Sequence, residues 1–157
     1  MAAVRSPFFD TSVLVAGLIE LGDLSDHAQR IMTAVAENRI RLPETAWHCC
    51  LEFYAVSTRL PAELRLAPAD ALRLIEEEVV ARFRIHQLPS GARLSFLQEA
   101  AKEGVVGGRV YDAHIAEIGR RAGAKLIVTD NRRHFTSLLR HGVRVLGTEE
   151  FSRELDA

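Results

Sequence analysis

Short apolar runs alternate along the chain with longer segments in which apolar residues recur every three or four positions. The runs have the length of buried strands, and the segments between them have the period of amphipathic helices. Strands that alternate with helices form parallel sheets with helices on both faces, so the pattern predicts an α/β fold. The predicted strands are residues 4–9, 39–42, 84–88, 126–129 and 143–146.

Predicted helices fill the intervals between these strands. Gly123 and Gly142 are natural stops for two of them. Ser90 can cap another, and Pro43 suits a first helical position. Pro7 cannot donate a hydrogen bond within a sheet, so the first strand is expected either to lie at an edge or to begin later. The predicted helices are residues 11–18, 25–38, 43–58, 68–81, 90–103, 110–122, 132–141 and 148–155.

Composition limits the class of protein. Of 157 residues, 48% are hydrophobic and 26% charged, which excludes a disordered or fibrous chain and predicts one domain over residues 1–157. The start leaves no room for an export signal, and no stretch approaches the roughly 20 apolar residues of a membrane span. A cytoplasmic location without a membrane partner is therefore expected. Cys49 and Cys50 are neighbours, so buried thiols are expected rather than a zinc site.

The net charge of −1 gives no general argument for binding nucleic acid, but the charge is unevenly distributed. Residues 105–145 carry eight lysines and arginines against three acids, an excess of five positive charges. Such a local patch is typical of phosphate-backbone binding, and ordinary solvated helix faces would give the same pattern.

Two acids follow apolar strands directly. Asp10 comes after Pro7-Phe8-Phe9, and Asp130 comes after Leu126-Ile127-Val128-Thr129. Ligands of parallel sheets bind beyond the carboxyl ends of the strands, so both positions are candidate site residues. Each acid is also well placed to cap the helix that follows it, and either role explains it when taken singly.

Two further acids lie on predicted helices. Glu52 is the only acid between Ala46 and Val56, with His48 one turn earlier, and a lone carboxylate in an apolar helix is costly without a cation. Asp112 falls on the buried face near the start of its helix, where the helix dipole also favours an acid. Helix capping and dipole effects explain each acid separately but not the joint pattern, which favours a site.

Clustered carboxylates repel one another unless a cation lies between them. Oxygen ligands without clustered Cys or His select hard ions such as Mg²⁺ or Mn²⁺, which retain waters and can bind phosphate. The corresponding chemistry is hydrolysis of a phosphodiester by an activated water. The four acids predicted to bind metal and act in catalysis are Asp10, Glu52, Asp112 and Asp130.

Four segments resemble the motifs of PIN domains, and among these the VapC toxins of prokaryotic toxin–antitoxin pairs. They span nearly the whole chain: Phe9-Asp10-Thr11-Ser12-Val13-Leu14, Glu52 in the helix after the second strand, Val110-Tyr111-Asp112-Ala113, and the run from Val128 to Phe135. The resemblance implies an α/β/α sandwich with a short, mostly parallel sheet and an endoribonuclease that needs Mg²⁺ or Mn²⁺. It also implies a homodimer and a cognate antitoxin as partners.

The resemblance also implies roles for individual residues. Asp10, Glu52 and Asp112 would be the core metal-coordinating acids, and Ser12 and Thr129 would be hydroxyls that position water or phosphate. In the fourth motif the family's polar position holds Asn131, while Asp130 occupies a variable one, so either can be the fourth site residue. The predicted RNA contacts in the basic window are Arg109, Arg132 and Arg133.

Two other classes of function stay open at this point. A PIN-like scaffold could bind RNA or protein without cutting, although the core acids are retained. A phosphatase of the haloacid-dehalogenase type also has an Asp after its first strand, but it needs a second acid two residues later, where this chain has Ser12.

Overall fold

The computed structural model describes residues 6–157, apart from the side chain of Leu24. Within this range five parallel strands form one sheet in the order β3-β2-β1-β4-β5. The strands are β1 Phe8–Phe9, β2 Glu44–Ala46, β3 Arg84–His86, β4 Leu126–Val128 and β5 Arg144–Leu146. The α-helices are α1 Thr11–Leu18, α2 Asp26–Ala36, α3 Trp47–Ser57, α4 Pro68–Leu74, α5 Ser90–Lys102, α6 Arg109–Arg121 and α7 Thr148–Asp156.

The central strand β1 shows that helices cover both faces of the sheet. Successive side chains of a strand point to opposite faces. Phe8 lies against α6, where a Cβ on Gly119 would be only 3.5 Å from its ring. Phe9 lies on the other face and packs edge-on against Phe151 of α7, with ring centroids 5.7 Å apart. The predicted three-layer sandwich is therefore confirmed, with both phenylalanines fully buried at its centre.

The second predicted strand was misplaced. Within residues 39–42 only Arg41 forms an isolated β-bridge, and Leu42 has a φ of 51°. The strand is Glu44–Ala46. The backbone N–H of Glu44 donates to the carbonyl of Pro7, and Phe8 pairs with Glu44. Pro43 accordingly precedes a strand rather than opening a helix, and α3 begins at Trp47.

Several other element bounds differ from the prediction. Residues 132–141 form two 3₁₀ turns, Arg132–His134 and Thr136–His141, instead of an α-helix. The helix after Pro68 continues as π-helix over Ile75–Val80. Ser90 is the first residue of α5 and makes no capping hydrogen bond.

Other local predictions are confirmed. Strand β1 begins after Pro7, although residues 4 and 5 of the predicted strand lie outside the described range. Gly123 and Gly142 have φ values of 81° and 75°, the left-handed conformation expected at helix stops. Cys49 and Cys50 are buried free thiols.

No helix among residues 6–157 is long and apolar enough to cross a membrane.

Candidate active site

Asp10 lies at the carboxyl end of the central strand and is the N-cap residue of α1. Its side chain is almost fully buried, with 1% of its surface exposed. Its carboxylate accepts hydrogen bonds from the Thr11 N–H at 2.7 Å, the Ser12 hydroxyl at 3.1 Å and the Thr129 hydroxyl at 2.7 Å. The hydrogen bond from Thr11 makes Asp10 a helix cap. Asp10 is also the centre of a polar cluster, because β1 and β4 are neighbours that end at the same edge of the sheet.

The electrostatic environment of Asp10 disfavours its charged form. Burial, together with the nearby charge of Asp112, raises the pKa of the Asp10 carboxyl to about 6. The hydrogen bonds from Thr129, Thr11 and Ser12 act in the opposite direction but do not compensate. A cation beside this carboxyl would restore its ionised form, which is the condition of a metal ligand.

Asp112 lies near the start of α6 and is half-buried, as its position on the helix predicted. Its Oδ2 is 2.5 Å from Nδ1 of His134, which follows β4 in the first 3₁₀ turn. The carboxylate therefore already has a hydrogen-bonding partner on the side toward residues 132–134.

Glu52 is half-buried on α3, less enclosed than the apolar sequence around it suggested. Its Oε1 accepts a hydrogen bond from the Thr11 hydroxyl at 3.3 Å and lies 3.1 Å from Nε2 of His48. Because Thr11 also donates its backbone N–H to Asp10, α1 connects Glu52 to the buried acid.

The structure places the carboxylate of Asp130 elsewhere. Its oxygens accept the N–H of Thr148 at 2.9 Å and the Thr148 hydroxyl at 3.0 Å, which ties β4 to the start of α7. Only its backbone N–H reaches the acid cluster, by donating to the Ser12 hydroxyl at 3.2 Å. Asn131 likewise contributes its backbone N–H, to the Thr129 hydroxyl at 3.0 Å, while its side chain is exposed.

The acids do not form a preassembled metal site. Within residues 6–157 no group of three Asp, Glu, His or Cys side chains is arranged to hold a metal ion. Glu52 and Asp112 are each engaged by a histidine instead. The donor set still fits a hard divalent cation, because Asp10 and Asp112 repel each other and all the oxygen ligands are carboxylates.

The three arginines predicted to contact RNA lie at the start of α6 and in the 3₁₀ turn after β4. Arg109, Arg132 and Arg133 are all exposed. Arg132 forms an ion pair with Glu150, whereas Arg109 and Arg133 make none with residues 6–157. Of these three arginines, Arg109 and Arg133 are therefore the more available to a phosphate.

Histidines were largely missed by sequence reasoning. His48 and His114 approach each other with 2.7 Å between their Nδ1 atoms, and His134 contacts Asp112. Burial is the first cause that lowers the pKa of His114, followed by His48 and Arg93. The available signal was the spacing of His48 one turn before Glu52.

One buried acid lies outside the cluster and was also missed. Glu44, on β2, is only 4% exposed and lies 3.6 Å from a guanidinium nitrogen of Arg84 and 3.4 Å from Nε2 of His86. Both partners lie on the neighbouring strand β3. This acid therefore has a structural explanation.

Sequence comparisons relate the chain to known proteins. The family model described as PIN domain matches residues 7–133. Ribonuclease VapC27 of Mycobacterium tuberculosis is 41% identical over 86 residues, which are 54% of this chain and 60% of that protein. Ribonuclease VapC40 of Mycobacterium tuberculosis H37Rv is 30% identical over 123 residues, 78% of this chain and 85% of that protein.

Solved structures share the fold. A crystal structure from Pyrobaculum aerophilum superposes with a TM-score of 0.61 and 18% identity, covering 98% of both chains. VapBC2 from Rickettsia felis, bound to a DNA fragment from their promoter, superposes with a TM-score of 0.58 and 16% identity over 92% of this chain and 98% of that chain. At these identities the likeness concerns the architecture.

Proposed function

Because this chain belongs to the PIN domain family, we propose that it is a divalent-metal-dependent endoribonuclease and the toxin of a toxin–antitoxin pair. The observation that carries the proposal is the environment of Asp10. A fully buried carboxyl, held by three donors and raised in pKa to about 6, faces a second acid, Asp112. Such an arrangement destabilises the fold, and strongly shifted pKa values of this kind are common in catalytic sites.

We infer that Asp10, Asp112 and Glu52 would hold Mg²⁺ or Mn²⁺. When bound, the ion would lower the pKa of a water and neutralise the charge that develops on the phosphate. Ser12 and Thr129 keep Asp10 in one orientation by donating to its Oδ2. His48 and His134 hold Glu52 and Asp112 in place without an ion, and each would have to yield part of its contact when an ion binds.

The remaining residues would act on the substrate. Arg109 and Arg133 are exposed beside the acids and would bind phosphates of the RNA backbone. Arg132, which is paired with Glu150, would contribute less. Asp130 would support the site through its backbone, since its carboxylate is bound to Thr148.

We extend the proposal to partners and location by the similarity to the VapC ribonucleases and to VapBC2. A cognate antitoxin would inhibit the enzyme, the toxin would be a homodimer, and residues 1–157 would form one domain. RNA cleavage of this kind takes place in the cytoplasm, where we place the protein.

The second candidate is a PIN-like scaffold that binds RNA or protein without cutting. One observation favours it: among residues 6–157 no three metal-binding side chains are preassembled. The scaffold and the nuclease differ in whether metal binding leads to cleavage. A haloacid-dehalogenase-type phosphatase gains no support, since Ser12 holds Asp10 rather than supplying a second acid.

The test is cleavage of total cellular RNA by purified, metal-stripped protein after Mg²⁺ or Mn²⁺ is restored. Wild type is compared with Asp10→Asn and Glu52→Gln, and with control acids whose side chains are about half exposed, Asp70→Asn and Glu37→Gln. We expect discrete fragments only with metal, from wild type and both control variants. Wild type could instead be folded and bind Mn²⁺ in calorimetry but fail to cleave RNA. That result would reject the nuclease proposal in favour of the non-cutting scaffold.

A further inference from the structure

A pocket of about 450 Å³ opens next to the acids, between α3, α5 and α6. Aromatic rings form much of its wall, among them Trp47 at the start of α3, Phe96 on α5 and Tyr111 on α6. Trp47 is 44% exposed and Tyr111 is 55% exposed. Large exposed rings beside a polar cluster are available to stack on a ligand.

The pocket is joined to the acids by a continuous line of contacts. His114, in its wall, lies 2.7 Å from His48 between Nδ1 atoms. The other nitrogen of His48 lies 3.1 Å from Glu52, and Tyr111 directly precedes Asp112. A ligand seated in this pocket would therefore contact His48, which in turn contacts Glu52.

We propose that this pocket binds a nucleobase of the RNA next to the phosphate that is cut, an inference that rests on the proposed nuclease function. Bases stack on Trp and Tyr rings regardless of their identity, because every base has a π-face. His114 and Gln87 add hydrogen-bonding edges that can distinguish one base from another. The pocket is thus the specificity-determining part of the site.

Charge favours RNA over an apolar protein segment as the occupant. Within the described part of the chain the lining contains no carboxylate, and it includes the cationic Arg93, although the chain as a whole has a net charge of −1. An apolar side chain seated here would cover Gln87 and Arg93, both exposed in this structure, without offering either of them a hydrogen-bond partner. A base attached to a phosphate backbone satisfies both the rings and the cation.

Trp47 is the only tryptophan of the chain, so its fluorescence reports occupancy of the pocket directly. Cleavage is prevented in two ways: wild type is kept in chelator, and Asp10→Asn is studied with Mg²⁺. Each protein is titrated with single-stranded RNA hexamers and with an abasic ribose-phosphate hexamer of equal charge. Anisotropy of end-labelled RNA measures total binding in parallel. Tyr111→Ala removes a stacking ring, Tyr111→Phe retains it, and Leu72→Ala is a matched exposed control on α4.

We expect base-bearing RNA to quench Trp47 and to bind about tenfold more tightly than the abasic hexamer, as stacking of one base predicts. Tyr111→Ala should abolish this difference, whereas Tyr111→Phe and Leu72→Ala should preserve it. One hexamer should bind more tightly than the others if the polar edges read the base.

Three results would overturn the proposal in distinguishable ways. Anisotropy could show RNA binding while the base-bearing and abasic hexamers bind equally tightly, or while the Trp47 emission is unchanged. Either result would reject the base pocket and leave the proposed nuclease function intact. The Trp47 emission could instead depend on protein concentration, and sedimentation could show a dimer that Tyr111→Ala dissociates. These results together would assign the pocket to a second copy of the chain. Absence of RNA binding under both conditions would remove the proposed function itself.

Discussion

The hydroxyl of Thr129 donates a 2.7 Å hydrogen bond to Oδ2 of Asp10, joining residues 119 positions apart in the sequence. The same hydroxyl accepts the backbone N–H of Asn131 at 3.0 Å, so it is fixed in its donor role toward the carboxylate. Both Thr129 and Asp10 are buried, and neither side chain can exchange this contact for water.

Replacing Thr129 by Val should weaken metal binding, because the isosteric methyl group removes the donor and lets the pKa of Asp10 rise further. Loss of a hydrogen bond to a metal-binding side chain typically lowers metal affinity by about 10- to 100-fold. Thr129→Ser should retain most of the affinity. Calorimetric titration with Mn²⁺ at neutral pH measures the effect, with Thr33→Val, exposed on α2, as the control. Equal affinities of the Val and Ser variants would contradict this role.

Asp10→Asn should stabilise the metal-free protein at neutral pH. The folded-state pKa of about 6 lies above the unfolded value of about 3.9, so the folded state binds the proton more tightly. Wild-type stability should therefore fall as pH rises from about 4 to about 6, by on the order of 3 kcal/mol from this group. The free energy of unfolding of Asp10→Asn should not fall over this pH range, because asparagine does not ionise.

Urea unfolding in chelator at a series of pH values from 4 to 8 checks this prediction. The free energies of unfolding of wild type and Asp10→Asn should converge at the acidic end, separate between about pH 4 and 6, and differ by a constant amount above that range. Adding Mn²⁺ should stabilise wild type and not the variant. A difference between the two proteins that does not vary with pH would refute the assignment of the raised pKa to Asp10.

Variants of Asp130 should separate a metal ligand from a structural tie. Asp130→Asn keeps an acceptor for the Thr148 N–H and should leave stability and Mn²⁺ affinity unchanged. Asp130→Ala removes the acceptor and should cost about 1 kcal/mol, the usual effect of losing a helix cap, again without changing metal affinity. Weaker Mn²⁺ binding by Asp130→Asn would instead make Asp130 the fourth ligand predicted from the sequence.

The exposed arginines should differ in their contribution to RNA binding. Arg109→Ala and Arg133→Ala should each weaken binding and reduce the slope of log K against log salt by about 0.7, the value for one phosphate of a single strand. Arg132→Ala should change the slope less, because Glu150 already pairs with Arg132. Filter binding at several salt concentrations, with Arg30→Ala as an exposed control on α2, distinguishes them. The largest slope change at Arg132 would reverse this order.

Gly17→Ala should destabilise the contact between α1 and α2. A Cβ at this position would lie 2.4 Å from Cγ of Met32 and 2.9 Å from the carbonyl oxygen of Ala28, so backbone must move. Overpacking of this kind costs about 1–3 kcal/mol. Gly91→Ala on α5 meets no atom within 4 Å and should be neutral or stabilising, since alanine favours helix. Thermal and urea unfolding of both variants compare them, and equal stability of the two would contradict the steric argument.

Local order along the chain was predictable from sequence. Helix α1 has the predicted bounds, Thr11–Leu18, because an acid cap directly follows a short apolar strand. Gly123 and Gly142 end their elements as expected, since the left-handed conformation favours glycine. The PIN motifs also identified the candidate acids, because each acid occupies a characteristic position relative to a strand or helix.

Strand pairing and side-chain partners were decided by tertiary structure. Residues 39–42 have the more strand-like local sequence, but the pairing of Glu44 with Phe8 places the strand at Glu44–Ala46. The carboxylate of Asp130 turns to Thr148 because α7 begins beside the end of β4. The sequence alone therefore predicted which acids are candidates for the chemistry, since those signals lie within one element. Which of them meet depends on sheet order, a property of distant segments that no local pattern contains.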